Sequence, residues 1–162
     1  MLYFSYGSNM SHRRLSSRIG NIQKIGVYRL DQHDLRFHKI SKDGSAKCDA
    51  YFTGRDEDYI LGVLHEISEN EKPILDKYEG LGKGYEKKDV VVHTDDHSKT
   101  AFTYYATITG SELLPYTWYL RHVLEGAREA GFSAEYISKL EDIQCIDDPN
   151  SEREAQELSI YE

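Results

Sequence analysis

Apolar positions recur along this chain in two rhythms, and the change from one to the other organises the reading. From the N-terminus to about residue 109 the rhythm is that of strands. Leu2-Tyr3-Phe4-Ser5-Tyr6 is a short aromatic run stopped by Gly7-Ser8-Asn9, a strand entering a turn, and Ser11 is placed to cap a short helix over residues 12–15. Residues 22–30 and 34–40 read as strands, the second with Leu35, Phe37 and Ile40 in rough alternation, and Asp43-Gly44-Ser45 marks a loop. Residues 50–53 and 59–67 flank a polar turn, and their adjacency predicts a hairpin.

Ser68 stands three residues before Glu71, the spacing of a capping box, and Ile74, Leu75 and Tyr78 continue at helical spacing, so a short helix is predicted to end at Glu79-Gly80. Residues 85–93 and 99–109 form a second expected hairpin about a polar turn at 94–98. Beyond Pro115 the rhythm changes. Trp118, Tyr119, His122, Val123 and Ala127 recur at helical spacing, Gly131 closes that helix, and Ser133 caps another through Tyr136, Ile137, Leu140 and Ile143. Strands first and helices late predict an α+β fold rather than a doubly wound sheet.

Length and charge narrow the classes of function. The 162 residues suit one domain, and 28 acidic against 20 basic side chains give a net charge of −8, which argues against nucleic acid as a partner. Six acids and one base fall within residues 147–162, so this stretch reads as an acidic, solvated tail following a domain at 1–146. No apolar run has the length of a membrane helix and the N-terminus lacks the layout of a signal peptide, so no membrane partner and a cytoplasmic location are expected. Cys48 and Cys145 have no CxxC partner, and the seven histidines show no HExxH spacing, so no metal site is expected. Tyr supplies 13 of the aromatic residues, which suits half-wet strand faces and pocket walls.

Two places carry candidate chemistry. At Tyr6-Gly7-Ser8-Asn9 a glycine lets a ligand approach the backbone, and successive N–H groups in a turn make a concave anion site. Glu79 is expected at the C-terminal end of its helix, before a loop with three glycines in five residues. The negative end of a helix dipole disfavours a carboxylate's charge, and shielding from water adds to this, which suits an acid/base working near neutral pH. Taken alone, such residues more often make an ordinary capped turn and an exposed loop glutamate.

Together the elements resemble the gamma-glutamylcyclotransferase family. Tyr3-Phe4-Ser5-Tyr6-Gly7-Ser8-Asn9 is similar to its hallmark strand and YGSN loop, Asp43-Gly44-Ser45-Ala46-Lys47 to a small-residue segment of bacterial members, and Gly62-Val63-Leu64 to an inner strand. Leu75-Asp76-Lys77-Tyr78-Glu79-Gly80 followed by Tyr85 resembles the element that supplies the family's catalytic glutamate, and Trp118-Tyr119 with residues 125–131 resembles its C-terminal helix. The likeness spans about residues 2–145, in order, and the acidic tail has no counterpart in it.

The resemblance implies a small mixed β-barrel with flanking helices and a pocket at the barrel mouth. It implies Glu79 as the catalytic acid/base, Tyr6, Gly7, Ser8 and Asn9 as the substrate loop, and Tyr85 and Tyr119 as pocket walls offering hydroxyls. The implied reaction is a cofactor-free internal aminolysis of a small γ-glutamyl dipeptide or amine that releases 5-oxoproline. A γ-glutamylamine cyclotransferase with another leaving amine, and a non-catalytic ligand-binding domain on the same fold, stay open alongside it, as does a homodimer.

Overall fold

In the computed structural model, which describes residues Met1–Glu162, the strands are β1 (Leu2–Ser5), β2 (Gln23–Asp31), β3 (His33–Ile40), β4 (Ala46–Phe52), β5 (Tyr59–Glu66), β6 (Tyr85–His93) and β7 (Ser98–Ala106). The helices are α1 (His12–Ile19), α2 (Lys72–Glu79), α3 (Thr117–Glu129), α4 (Ala134–Glu141) and α5 (Ser151–Leu158), with 3₁₀ turns at Ser8–Met10 and Ser159–Tyr161. Five strands close into a barrel in the order β1-β5-β2-β6-β7, while β3 and β4 form a separate two-stranded sheet. Barrel neighbours are antiparallel except where β1 meets β7 side by side at Tyr3 and Phe102. That one parallel contact closes the ring, and the α+β, mixed-barrel expectation holds.

The local signals act where they were placed. Ser68 and Glu71 cap each other reciprocally, the Ser68 N–H donating to Glu71 Oε2 at 2.8 Å and the Glu71 N–H to Ser68 Oγ at 3.2 Å. Ser133 Oγ accepts from the Tyr136 N–H at 3.2 Å. Gly80, at φ 72°, turns α2 off in the left-handed conformation that a side chain resists. β6 and β7 pair as a hairpin from Tyr85 opposite Ala106 to His93 opposite Ser98.

The hairpin expected from residues 50–53 and 59–67 does not form. β4 pairs with β3, from His33 opposite Phe52 to Ile40 opposite Ala46, and both edges of β5 are taken, by β1 and by β2. A strand already paired on both sides has no edge left for a sequence neighbour. The chain leaves the barrel at Gln32, a non-glycine residue at φ 60°, whose carbonyl accepts the Thr53 and Gly54 N–H groups at 2.9 and 3.2 Å.

Two apolar clusters cover the barrel. One joins Phe4, Leu30, Ile60, Leu64 and Val92 to Trp118, Tyr119 and Val123 of α3. The other joins Tyr3, Phe102 and Tyr104 to Leu15 and Ile19 of α1 and Leu75 of α2. β1 contributes Phe4 to the first and Tyr3 to the second, so it is buried on both faces and shows no polar alternation. α3 lies directly on the turn after β1. A Cβ at Gly126 would stand 2.5 Å from Met10 Cβ and the Met10 backbone.

Residues 147–162 fold against this body. The buried Asp148 carboxylate accepts from Trp118 Nε1 at 2.8 Å and from two nitrogens of Arg153 at 2.6 Å. Glu157 accepts from Arg14 and His122. Asp147 and Glu154 accept from Thr117 Oγ1 at 3.2 and 3.3 Å, so four of the six acids that mark this stretch are engaged by α1 and α3. No helix is long and apolar enough to cross a membrane.

Candidate active site

Tyr6, Gly7, Ser8, Asn9, Glu79, Tyr85 and Tyr119, singled out in the sequence, line one narrow cleft of about 30 Å³ together with Tyr3, Cys48 and Tyr104. The loop after β1 forms one wall. It winds through a 3₁₀ turn held by Met10 N–H to Gly7 O at 3.1 Å and Ser11 N–H to Ser8 O at 3.2 Å. The N–H groups of Gly7, Ser8 and Asn9 precede those bonds and donate to no protein acceptor. Gly7 is needed for close approach: a Cβ there would lie 3.0 Å from Cys48 Cβ and 3.5 Å from Tyr119 OH. Ser8 is steadied from behind by Arg14, whose Nε donates to its hydroxyl at 3.2 Å.

The opposite wall carries Glu79, the last residue of α2. Its Oε1 accepts from Asn9 Nδ2 and, at 3.4 Å, from Arg18 Nη1. Arg18 Nη1 also donates to Asn9 Oδ1 at 3.1 Å, and Asn9 Nδ2 to Tyr3 OH at 3.1 Å. These groups make a closed triangle about one carboxylate oxygen, while Oε2 takes no hydrogen bond from the protein. The C-terminal end of a helix repels a carboxylate, and the guanidinium and amide supply the compensation that the helix withholds. The Arg18 guanidinium rests over the Tyr78 ring, 5.1 Å from its centroid.

The tyrosines hold the walls by their hydroxyls. Tyr6 OH donates to the Tyr104 carbonyl and Tyr85 OH to the Cys48 carbonyl, each at 2.6 Å, and Tyr119 OH accepts from the Cys48 N–H at 3.0 Å. The donor protons of Tyr6 and Tyr85 are therefore committed to backbone, while the Tyr119 hydroxyl faces the Cys48 thiol. Burial raises all three phenols, so they stay neutral. Burial also pushes the Cys48 thiol up to about 12, leaving it without nucleophilic character at neutral pH.

Arg18, which bonds to both Asn9 and Glu79, is the cleft neighbour that local periodicity misses. A helix read as ending at residue 15 hides it, whereas α1 runs to Ile19 and sets Arg14 and Arg18, four residues apart, on one face. The Asn9 side chain, as distinct from its amide, is likewise added by the structure.

A larger cavity, of about 260 Å³, lies among Leu35, Phe37, Tyr59, Tyr136 and Leu140. Its carboxylates Asp34 and Asp58 are paired with Arg36 and Arg55 at 3.1 and 2.9 Å, and its third acid, Glu57, is exposed to solvent and 4.0 Å from Arg55, so no shielded carboxylate faces this volume unpaired. Chemistry, and not size, selects the narrower cleft.

The chain matches the model of the AIG2-like family over residues 59–140. It is 28% identical to a gamma-glutamylcyclotransferase of Bos taurus and 27% identical to that of Homo sapiens, in each case over 151 residues that cover 90% of this chain and 80% of the relative. A solved gamma-glutamyl cyclotransferase superposes with a TM-score of 0.87 at 26% identity, covering 98% of both chains. Barrel, helices and loop order therefore match that fold from end to end, and with the family model matched over half its length the chain belongs to the AIG2-like family.

Proposed function

We propose that this protein is a γ-glutamyl cyclotransferase: it bends a γ-glutamyl-linked amino acid or amine until the substrate's own α-amino group attacks its γ-carbonyl, releasing 5-oxoproline and a free amine. The observation that carries the reading is that one cleft holds both the unengaged N–H groups of residues 7–9 and a glutamate with one oxygen fixed and the other free. The names of the relatives at 27–28% identity support the same activity.

In this reading the α-ammonium first gives a proton to Glu79 Oε2. The amine then adds to the γ-carbonyl, forming the ring C–N bond, the protonated Glu79 returns its proton to the leaving nitrogen as the old C–N bond breaks, and the freed carboxylate passes the surplus proton of the ring nitrogen to the departing amine, which leaves as an ammonium ion. Proton and electron pair balance with no other reactant. The amides of Gly7, Ser8 and Asn9 grip the α-carboxylate, keeping the chain folded for attack. Nucleophile and electrophile belong to one molecule, so holding them together supplies up to about 7–11 kcal/mol of the barrier reduction.

The test is 5-oxoproline release from a panel of γ-glutamyl dipeptides and γ-glutamyl amines. Glu79→Gln keeps the hydrogen-bonding shape but not the proton transfer, and is expected to lower kcat by at least about 100-fold while substrate still binds. No release from any member by the unaltered protein would leave a binding domain as the reading.

A further inference from the structure

Two lysines stand over the rings of tyrosines that line the cleft, and they differ in one respect. Lys47 Nζ lies 4.5 Å from the Tyr119 ring centroid and is neutralised by Asp43 at 2.9 Å. Lys39, directly opposite Lys47 in the β3–β4 pairing, places Nζ 4.9 Å from the Tyr85 ring centroid and has no hydrogen-bond or ion-pair partner. It is nonetheless buried, at 9% exposure, and its stem crosses Gly84 so closely that a Cβ there would lie 2.9 Å from Lys39 Cε and 3.2 Å from Nζ. Burial pushes its ammonium down from the usual lysine range, and the nearby carboxylate of Glu79 opposes that shift. An ammonium held over Tyr85 by a buried stem, and left without a counter-ion, is available to an incoming anion.

We propose that Lys39 is a specificity residue that binds the α-carboxylate of the leaving amino acid, making γ-glutamyl-α-amino acids the substrate class and disfavouring γ-glutamyl amines that lack this group. The inference rests on the reaction proposed above. In that reaction the γ-glutamyl α-carboxylate is taken by the amides of residues 7–9, so a second carboxylate needs a second site. Lys39 is on the separate β3–β4 sheet, beside Tyr85. Lys47 cannot serve equally, because Asp43 already occupies it.

The test uses two substrates that differ only by the carboxylate, γ-glutamyl-alanine and γ-glutamylethylamide, on the full-length protein and on Lys39→Met, which keeps an apolar stem over Tyr85. The expected result is a fall in kcat/KM for γ-glutamyl-alanine of roughly 10- to 100-fold, the worth of a charge-assisted contact, with the ethylamide changed by less than about threefold. Lys39→Arg keeps most of the preference. An equal fall on both substrates, or no fall on either, overturns the proposal.

Calorimetric binding of the same pair to Glu79→Gln, with and without Lys39→Met, separates this proposal from the one it rests on. Carboxylate-dependent binding that Lys39→Met abolishes, without turnover in the unaltered protein, sinks the cyclotransferase reading and leaves the lysine contact standing. Turnover with an unchanged substrate ratio sinks the lysine contact alone. Neither binding nor turnover sinks both.

Discussion

Arg14 Nη1 meets Glu157 Oε2 at 2.5 Å, and the same guanidinium, through Nε, holds the hydroxyl of Ser8 in the loop after β1 at 3.2 Å. The C-terminal segment therefore reaches the candidate site through one intervening side chain. A second route runs beside it: Glu157 accepts from His122 Nε2 at 3.2 Å, His122 Nδ1 lies 2.6 Å from Tyr161 OH, and the Tyr161 and Ser11 hydroxyls are 2.9 Å apart. Ser11 caps α1, the helix that presents both Arg14 and Arg18.

Removing the Glu157 carboxylate leaves Arg14, whose side chain is 8% exposed, without its counter-ion. A fully buried pair broken in this way costs about 3–5 kcal/mol, and Glu157, at 30% exposure, warrants a lower figure of about 2 kcal/mol for Glu157→Ala. Urea unfolding measures it. A loss below about 0.5 kcal/mol would make the contact an ordinary surface pair and detach the C-terminal segment from the loop.

Much of this is legible one element at a time. The capping serines 11, 68 and 133, the two strand rhythms and the end of α2 at Gly80 are local, and each follows from a few neighbouring residues. Barrel closure is not local: it depends on Tyr3 meeting Phe102, and on β5 offering both its edges to β1 and β2, and no periodicity encodes either choice. Charge counting fails at residues 147–162 for a related reason. It registers Asp148 and Glu157 as solvated acids, although their partners Trp118, Arg14 and His122 lie far back in the chain. Glu79 and the loop stood out through the ordered resemblance, while the Arg18–Asn9 support around Glu79 needed coordinates.

Acid should weaken the fold through two histidines. Burial pushes both His65 and His122 down from 6.5 to about 4. His65 faces Ser5 and the Tyr3 ring, with the charges of His12 and Lys24 adding to the effect, and His122 faces Glu157, Tyr161, Arg14 and Arg18. Between those two values the unfolded chain binds protons that the folded chain refuses. Their contribution is complete above about 6.5 and is lost as the pH falls towards about 4, by up to roughly 3 kcal/mol each.

Glu157 acts lower in pH. Burial pushes its carboxyl up, but the hydrogen bond from His122 and the Arg14 charge outweigh this and take it down to about 2, so its share goes only as the pH falls from about 4.5 through that value. The urea midpoint is therefore expected to drop between about pH 6.5 and pH 4.5, and His122→Gln to flatten the slope. A midpoint constant over that interval would show that neither histidine is kept neutral by the fold.

The close seat of α3 on the loop after β1 gives the last prediction. A Cβ at position 126 meets Met10 Cβ, Met10 C and Ser11 N, all at 2.5 Å, and two of these are backbone atoms that no rotamer change can withdraw. In Gly126→Ala the gain in helix propensity, about 1 kcal/mol, opposes an overpacking cost of about 1–3 kcal/mol, so net stability changes modestly. The relief available is to move the 3₁₀ turn Ser8–Met10 away from α3, and that turn carries the free amides and Asn9. Activity should thus fall more than stability does: about tenfold or more in kcat/KM for 5-oxoproline release, because misplacing a binding group by an ångström is costly. A variant that is destabilised yet keeps full kcat/KM would show that the loop's position is not set by α3.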